Sequence, residues 1–511
     1  MRKWRIFFGA CLIALIVGAV IASRANGWLA NYVRGRTIST LQKTFATQVE
    51  FGDLTVSIYP EIVIRGGDLV LRRPGHPEAS PLITVKKFQT NVGPWELLRP
   101  IRHVRKITLE GLVIAVPPRE ERPAAPLPPR QKKQPRAFSF VIDEIATDDA
   151  ELDIRPRDPG KLPRVFHIQH LELHNAGLGH TMFYHATLSN PLPAGEIESR
   201  GEFGPWQAND PRLTPLSGTY TFSHADLSSI HGLSGILSSK GEFRGRLDRI
   251  DVRGQTDTPN FSLGISGHPV PLATEFHAIV DGATGNTMLD DVRARLLDSE
   301  IIARGGVFRD PGQKYRRISL DAVSNHARLE DLLRLALKAN EPPMTGDISF
   351  QTRIDIPPGE GVIADRLRLD GEFNISSAHF ARLNVQQKLA SLSRRARGET
   401  QDPSPGSVAS NFAGAFKLQN GTMTFSNLTF GVPGALVHLD GTYALRGEDV
   451  DFRGTLRLQA TLSQMTTGWK SAMLRPFDRL FERGGAGTLL PITIRGTGSD
   501  PRFGVDLRRV F

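Results

Sequence analysis

The sequence predicts a mainly β protein, held in a membrane by one N-terminal helix and carrying its body on the extracytoplasmic side. Three observations predict it. An uncharged run lies near the N-terminus, period-2 alternation of apolar and polar residues fills most of the rest, and turn-forming dipeptides punctuate the alternation.

The anchor comes first. Arg2, Lys3 and Arg5 precede the uncharged run from Ile6 to Ser23, and Arg24 closes it. At 1.5 Å per residue the run reaches roughly 27 Å, close to the thickness of a hydrocarbon core. Trp4 and Trp28 flank it where indole rings favour the interface, and the early basic cluster puts the N-terminus in the cytoplasm. Val20-Ile21-Ala22 would suit signal cleavage, but the run is long for a signal core, so a retained single-pass anchor is the reading favoured. The only cysteine is Cys11, inside this run, and a thiol-free body suits an oxidising compartment. Trp28, Leu29, Tyr32, Val33, Ile38, Leu41 and Phe45 recur at helical spacing, as an amphipathic helix leaving the membrane.

From Val49 onward alternation dominates. Leu54, Val56 and Ile58 alternate with polar neighbours, as do Ile348, Phe350, Ile354 and Ile356, and again Leu456, Leu458 and Leu462. Such strands have one apolar and one wetted face. Gly66-Gly67-Asp68, Asp281-Gly282, Asn420-Gly421 and Asp440-Gly441 read as turns, and close succession of strands implies antiparallel meanders. Short helices are expected at Leu329–Leu337, Phe380–Ala396 and Ser463–Phe481. The proline-rich basic stretch 117–137 reads as a linker. The division is therefore 1–24 cytoplasmic tip and anchor, 25–116 helix and first β segment, 117–137 linker, and 138–511 main β body.

The formal charge of +10 would fit a nucleic-acid or membrane-surface partner. However, the basic residues are dispersed along strands rather than clustered with aromatics, which argues against nucleic acid. His167, His170 and His174 could ligate metal on a helix, but on a strand His167 and His170 point to opposite sides. Gly484-Gly485-Ala486-Gly487 lacks the lysine and hydroxyl of a phosphate loop. The acidic pairs Asp148-Asp149 and Asp290-Asp291 read as turn residues, and no serine stands in a nucleophile pattern. The expectation is a non-enzyme with no catalytic residues, no cofactor and no metal.

Several blocks resemble the AsmA-like family. They are Phe51-Gly52-Asp53-Leu54 running to Leu69; Gly201–Pro205, Ser217–Tyr220 and Ser238–Gly245; and then Phe416–Gly421, Phe425–Phe430, Pro433–Ala435, Asp440–Tyr443 and Leu490–Phe503. The resemblance covers nearly the whole chain through the order and spacing of its blocks. It implies an anchor in a bacterial inner membrane, a periplasmic body, and a long, twisted sheet folded lengthwise into a groove. The implied role is outer-membrane homeostasis by holding or conducting phospholipid, as in the related bridge-like lipid transfer proteins. On that reading Leu54, Val56, Ile58, Ile348, Phe350, Ile354, Ile356, Leu456, Leu458 and Leu462 line the groove.

Two alternatives stay open on alternation alone. The apolar faces could close on each other as a sandwich core, or the chain could be an assembly factor for outer-membrane proteins that docks envelope partners through its sheet edges. The anchor reading has a direct check. N-terminal sequencing of the mature protein should begin at the initiator region, and a C-terminal reporter should be active only outside the cytoplasm; a start near Ser23 overturns it.

Overall fold

The structure is a computed structural model. It describes residues 48–50, 52–57, 62–72, 81, 83–92, 103–116, 141–154, 164–177, 179–205, 207, 211–282, 284–309, 313, 315–338, 340–381, 393–394, 397, 410–460, 488–498 and 500–505. The expected anchor, the helices at Trp28–Phe45 and Ser463–Phe481, the linker 117–137, Gly484–Gly487, Ile58 and Leu462 lie outside the described residues. Among those described, no helix is long and apolar enough to cross a membrane.

The protein is mainly β, with a long, mostly antiparallel sheet and few helices; 25 strands lie among the described residues. Contacts divide the chain into a first unit, Met1–Ala225 with Lys240–Ile250, and a second, Asp226–Ser239 with Asp251–Phe511.

In the first unit β1 (Gln48–Glu50) and β2 (Leu54–Ser57) both lie antiparallel on β3 (Ile62–Arg72). Antiparallel β4 (Ile83–Val92) and β5 (His103–Val116) follow. β6 (Val141–Ile154) then runs parallel to β5, the one departure from a meander among the registers described. The stretch 117–140 is long enough to return the chain for a parallel pairing. Antiparallel β7 (Arg164–Gly177), β8 (Met182–Pro191) and β9 (Ala194–Phe203) lead to β10 (Pro215–Asp226), which pairs with β9.

β11 (Leu233–Ser234) is a short piece against β13 (Arg249–Leu263), and the residues of β13 and β12 (Ile236–Arg246) divide between the units. The second unit continues through β14 (Val270–Val280), β15 (Thr287–Leu296), β16 (Ser299–Phe308), β17 (Arg317–Arg328), helix α1 (Leu329–Ala336) and β18 (Met344–Ile356). A one-turn helix, α2 (Ile363–Arg366), precedes β19 (Arg368–Phe380). Then come β20 (Ser410–Gln419), β21 (Thr422–Val432), β22 (Ala435–Ala444), β23 (Asp449–Leu458), β24 (Thr488–Thr497) and β25 (Pro501–Val505). From β14 to β25 each strand is antiparallel to the next.

The turn reading holds at Asp281-Gly282 and at Asn420-Gly421, where φ of +52° and +71° suits a two-residue hairpin. It fails at four places that sit inside strands. Gly66-Gly67-Asp68 is a kink within β3, with Asp68 at φ +48°. Asp148-Asp149 lies within β6, where Asp149 (φ +56°) drops out of the pairing with the register unchanged on both sides, and Asp290-Asp291 spans a bulge in β15. Asp440-Gly441 is mid-strand in β22. A Cβ on Gly441 would meet the Asp451 carbonyl oxygen at 2.3 Å, so the glycine answers a close backbone approach, not a turn. The expected helix from Phe380 also begins too early, since Phe380 ends β19.

Helix α1 matches its expected span. Leu329, Leu332 and Leu333 pack on Ile348, Ile375 and Ala378. Its first-turn carboxylates tie it to the sheet. Asp331, 6% exposed, accepts hydrogen bonds from Ser299 Oγ (2.8 Å) and Asp298 N (3.1 Å), and Glu330 accepts from Gly346 N (3.2 Å). Replacing Asp331 by Ala strands both donors and should lower stability by about 1–3 kcal/mol in thermal or denaturant melts. Asp331→Asn keeps an accepting oxygen and should lose less.

Candidate functional site: an apolar face with a charged reverse

Residues paired across a ladder share a face, so the registers sort side chains without further assumption. In the second unit one row runs Phe276, Val292, Ala303, Ala322, Thr352, Gly371 across β14–β19. The same row continues as Phe416, Phe425, Gly441, Phe452, Ile494, Phe503 across β20–β25. It contains no charged residue. The neighbouring row on the reverse face runs Arg304, Asp321, Arg353, Asp370, Lys417 from β16 to β20, and ends Asp451, Arg495, Arg502. Its charges pair across strands: Arg353–Asp321 at 3.0 Å, Lys417–Asp370 at 3.1 Å and Arg495–Asp451 at 3.3 Å. Dispersed basic residues are thus largely answered by carboxylates, and each exposed pair contributes little beyond solubility and register.

The apolar face is sheltered but not closed. Phe350, Phe373, Phe425, Phe430, Phe452 and Leu320 are all half-buried. Fully buried large apolar side chains are scarce: among the described residues under 2% exposed, Leu458 and Val270 are the only apolar ones larger than alanine, beside Ala150, Ala225, Ala378 and several Ser and Thr. Two sheets packed face to face would bury such rings almost completely. The rings instead stack along the face, with centroids 6.2 Å apart for Phe373–Phe425, 5.8 Å for Phe425–Phe452 and 4.6 Å for Phe412–Phe430.

The structure brings two of the three expected lining segments together. Ile348 and Leu456 stand in one row, through Ile375, Phe412, Phe430 and Val437. Phe350, Ile354, Ile356 and Leu456 are half-buried on that face. Ile348 and Leu458 are deeper: Ile348 (7% exposed) sits beneath α1, and Leu458 (1%) packs with Val432 and Ala435. In the first unit Leu54 pairs with Gly66 and Val56 with Ile64. There β4–β9 present a second apolar face, with Phe88, Leu109, Leu171, Leu173 and Leu188 half-buried on it. Burial pushes the hydroxyls of Tyr184 on this face and Tyr443 on the second unit's face above the ordinary phenol value, with Glu448 adding at Tyr443. Both faces therefore solvate charge poorly.

The phenylalanine rows escaped sequence reading for a definite reason. Phe425 and Phe430 stand five positions apart, an odd offset that strict alternation puts on opposite faces. The bulge between Phe425 and Leu428, with Asn427 at φ +52°, returns both to one face. The bulge near Ser377 (φ +55°) does the same for Phe373 and Phe380.

A bulge also corrects the histidine reading. Glu151 pairs with His167 and Asp148 with His170, and the register shift between Ile168 and His170 against β8, where His167 faces Ser189 and His170 faces Thr187, sets both histidines on the first unit's polar face. His170 Nδ1 lies 2.6 Å from Asp148 Oδ1 and its Nε2 3.2 Å from Glu172 Oε1. Two acceptors call for both ring N–H groups, hence imidazolium. The hydrogen bond to Asp148, then that to Glu172, raises the His170 pKa above its ordinary value, and the bond from His170 lowers that of Glu172. His185 stands beside them, 3.0 Å from Glu198. Among the described residues no three His, Cys, Asp or Glu side chains are grouped to hold a metal ion. A hollow of about 490 Å³ on β2–β5 is lined partly by Arg65, Lys87, Gln89 and Glu110, which satisfy one another (Arg65–Gln89 2.9 Å, Lys87–Glu110 3.1 Å).

Compared with protein-family models and with curated proteins, the chain matches none.

The histidine cluster has a pH signature. The His170 contribution is fully present below the ordinary histidine value of 6.5 and is lost as pH rises through its raised value. The Glu172 contribution is present above 4.5 and is lost as pH falls through its lowered value. Amide protection in β6–β8 should therefore be greatest near about pH 5.5 and fall toward alkaline pH. His170→Gln should flatten that dependence in hydrogen-exchange measurements.

Proposed function

We propose that this protein holds or conducts phospholipid along an apolar β-groove, anchored in a bacterial inner membrane with its body in the periplasm, as the resemblance to the AsmA-like family implies. One observation carries the reading: an uncharged row runs in register across twelve strands, β14 to β25, and most of its large side chains (Phe276, Val292, Phe425, Phe452 and Ile494) are half-buried, with Phe416 buried and Phe503 exposed at the last strand. A surface of that kind solvates a chain rather than a reacting group. Transfer of each methylene from water contributes about 0.8 kcal/mol, so a periodic apolar trough competes with the bilayer without any single binding residue. The anchor reading of Ile6–Ser23 would place such a trough beside a lipid source. Proteins of this design need no catalytic constellation, and the role proposed is non-enzymatic.

Position-specific photocrosslinking in living cells tests the trough directly. A photoreactive phenylalanine analogue at Phe350 should capture phospholipid, whereas one at Arg353 on the reverse face should not. Equal capture at both positions, or none at Phe350, overturns the reading.

Aspartate substitutions separate trough from core. Phe350→Asp places its charge where water still reaches, so the fold should persist while lipid capture falls. Leu458→Asp buries an unpaired charge and should destabilise the fold by about 4 kcal/mol or more, a large part of a typical total of 5–15. Circular dichroism melts with lipid assays on the two variants check this. Collapse of both would mean that the face is a closed core.

A further inference from the structure

Strand ends in the second unit fall on two margins. Val280, Thr287, Ile318 and Ile356 mark one, and Leu272, Leu296 and Ser299 mark the other. β13 joins the same ladder beside β14, with Thr256 Oγ1 2.6 Å from Thr274 Oγ1 and Asp251 2.9 Å from His277. The turn Asp226–Gly235 belongs to the second margin, because Leu233 and Ser234 pair with Leu263 and Ser262 at the end of β13. Helix α2 belongs to the first, just beyond Ile356.

Yet these two segments touch. Ile363 N lies 3.5 Å from His231 O, and a Cβ on Gly232 (φ +94°) would meet Val362 Cγ1 at 2.9 Å. Sheet twist explains how opposite margins meet. At about 20–25° per strand, the five steps from β13 to β18 accumulate about 100–125°, which swings diagonal corners together on the concave side. The concave side is the apolar one, since Phe350 and Ile354 are half-buried while Asp321 and Arg353 on the reverse are exposed. The contact therefore spans the apolar face.

Each half of this bridge is stiff and the joint between them is thin. Within the turn, Asp226 accepts from Ser228 N (2.9 Å), Leu227 N donates to Gly235 O (2.9 Å), and Gly264 N donates to Gly232 O (2.9 Å). Within the α2 segment, Arg366 Nη1 donates to Pro357 O (2.5 Å) and Leu367 N to Ile363 O (2.9 Å). Neighbouring loops brace it too, through Arg446–Asp365 and Tyr315–Glu360. Among the described residues the joint shows one long backbone hydrogen bond and the close approach of Val362 to Gly232. Two rigid halves with a weak seam separate as units.

We propose that the Asp226–Gly235 turn and the Val362–Leu367 segment form a clasp over the apolar trough, which opens to admit a phospholipid acyl chain from the side. This regulation rests on the lipid reading above.

The test uses the full chain carrying Cys11→Ser with His231→Cys and Ile363→Cys, in nanodiscs. The backbone approach puts the two Cα atoms within about 7 Å, near the reach of a disulfide. Oxidation should link the pair, and uptake of a fluorescent phospholipid from vesicles of phosphatidylethanolamine and phosphatidylglycerol should fall by about tenfold or more. Reduction of the same sample should restore it, which controls for folding. Failure to link, or linkage with unchanged uptake, overturns the clasp alone and leaves the lipid trough standing. No uptake by the Cys11→Ser parent overturns the lipid reading, and the clasp with it.

Discussion

Everything in this structure depends on keeping one face of a single sheet apolar and the other charged, strand after strand. Where a face is only half-buried, a sheet has little room to hide an error. A one-residue slip in any ladder would exchange the faces of every strand beyond it. The registers show how slippage is countered. On the reverse face, opposite charges alternate from Arg304 through Asp321, Arg353 and Asp370 to Lys417. A slip would oppose like charges or strand them among phenylalanines. Individually these pairs are weak, but as a row they specify alignment.

Stability in such a sheet has unusual sources. With few fully buried large side chains among the described residues, the sheet there gains little from a jigsaw core and more from contacts along the face. The stacked rings of Phe373, Phe416, Phe425 and Phe452 tie β19, β20, β21 and β23 together. Gly441 lies between Phe425 and Phe452 in the row and leaves room for the two rings to meet over it. Local anchors are small. Val432, Ala435 and Leu458 form one, and α1 on Ile348 and Ile375 another. Each fixes a strand end and leaves the middle of the face uncovered by it.

Much of this was legible in the sequence, because period-2 alternation is a direct imprint of a two-faced strand. The segments around Ile348 and Leu456 read correctly as strands, and α1 was visible in its leucine spacing and acidic first turn. What could not be read was the bulge. Ser377 and Asn427 adopt left-handed backbone conformations where the register shifts by one residue and the parity inverts, and Asp149 is left-handed inside an unshifted ladder. Short polar side chains tolerate that conformation, and the same residues are the usual marks of turns. Asp148-Asp149 therefore reads as a turn, although it lies inside β6. Strict alternation likewise sets His167 and His170 on opposite faces and hides the rows that Phe380 and Phe430 complete, because each strand carries its own register shift.

That ambiguity bears on function. In an enzyme a few side chains converge, and their spacing survives in sequence as a motif. Here the feature that matters is a parity, maintained by every strand and repaired wherever a bulge would break it. No residue is individually indispensable to such a surface, so no motif need exist. Phe, Leu, Ile and Val can replace one another along the face, provided that no charge enters it. The fixed points are instead those that govern parity and curvature: the left-handed residues at bulges, Gly441 at a close approach, and the twist that brings Val362 against Gly232. A chain of this kind can drift far in sequence while its apolar face persists. Physical rules on the face, and not identities in a site, are what selection for holding an acyl chain would preserve.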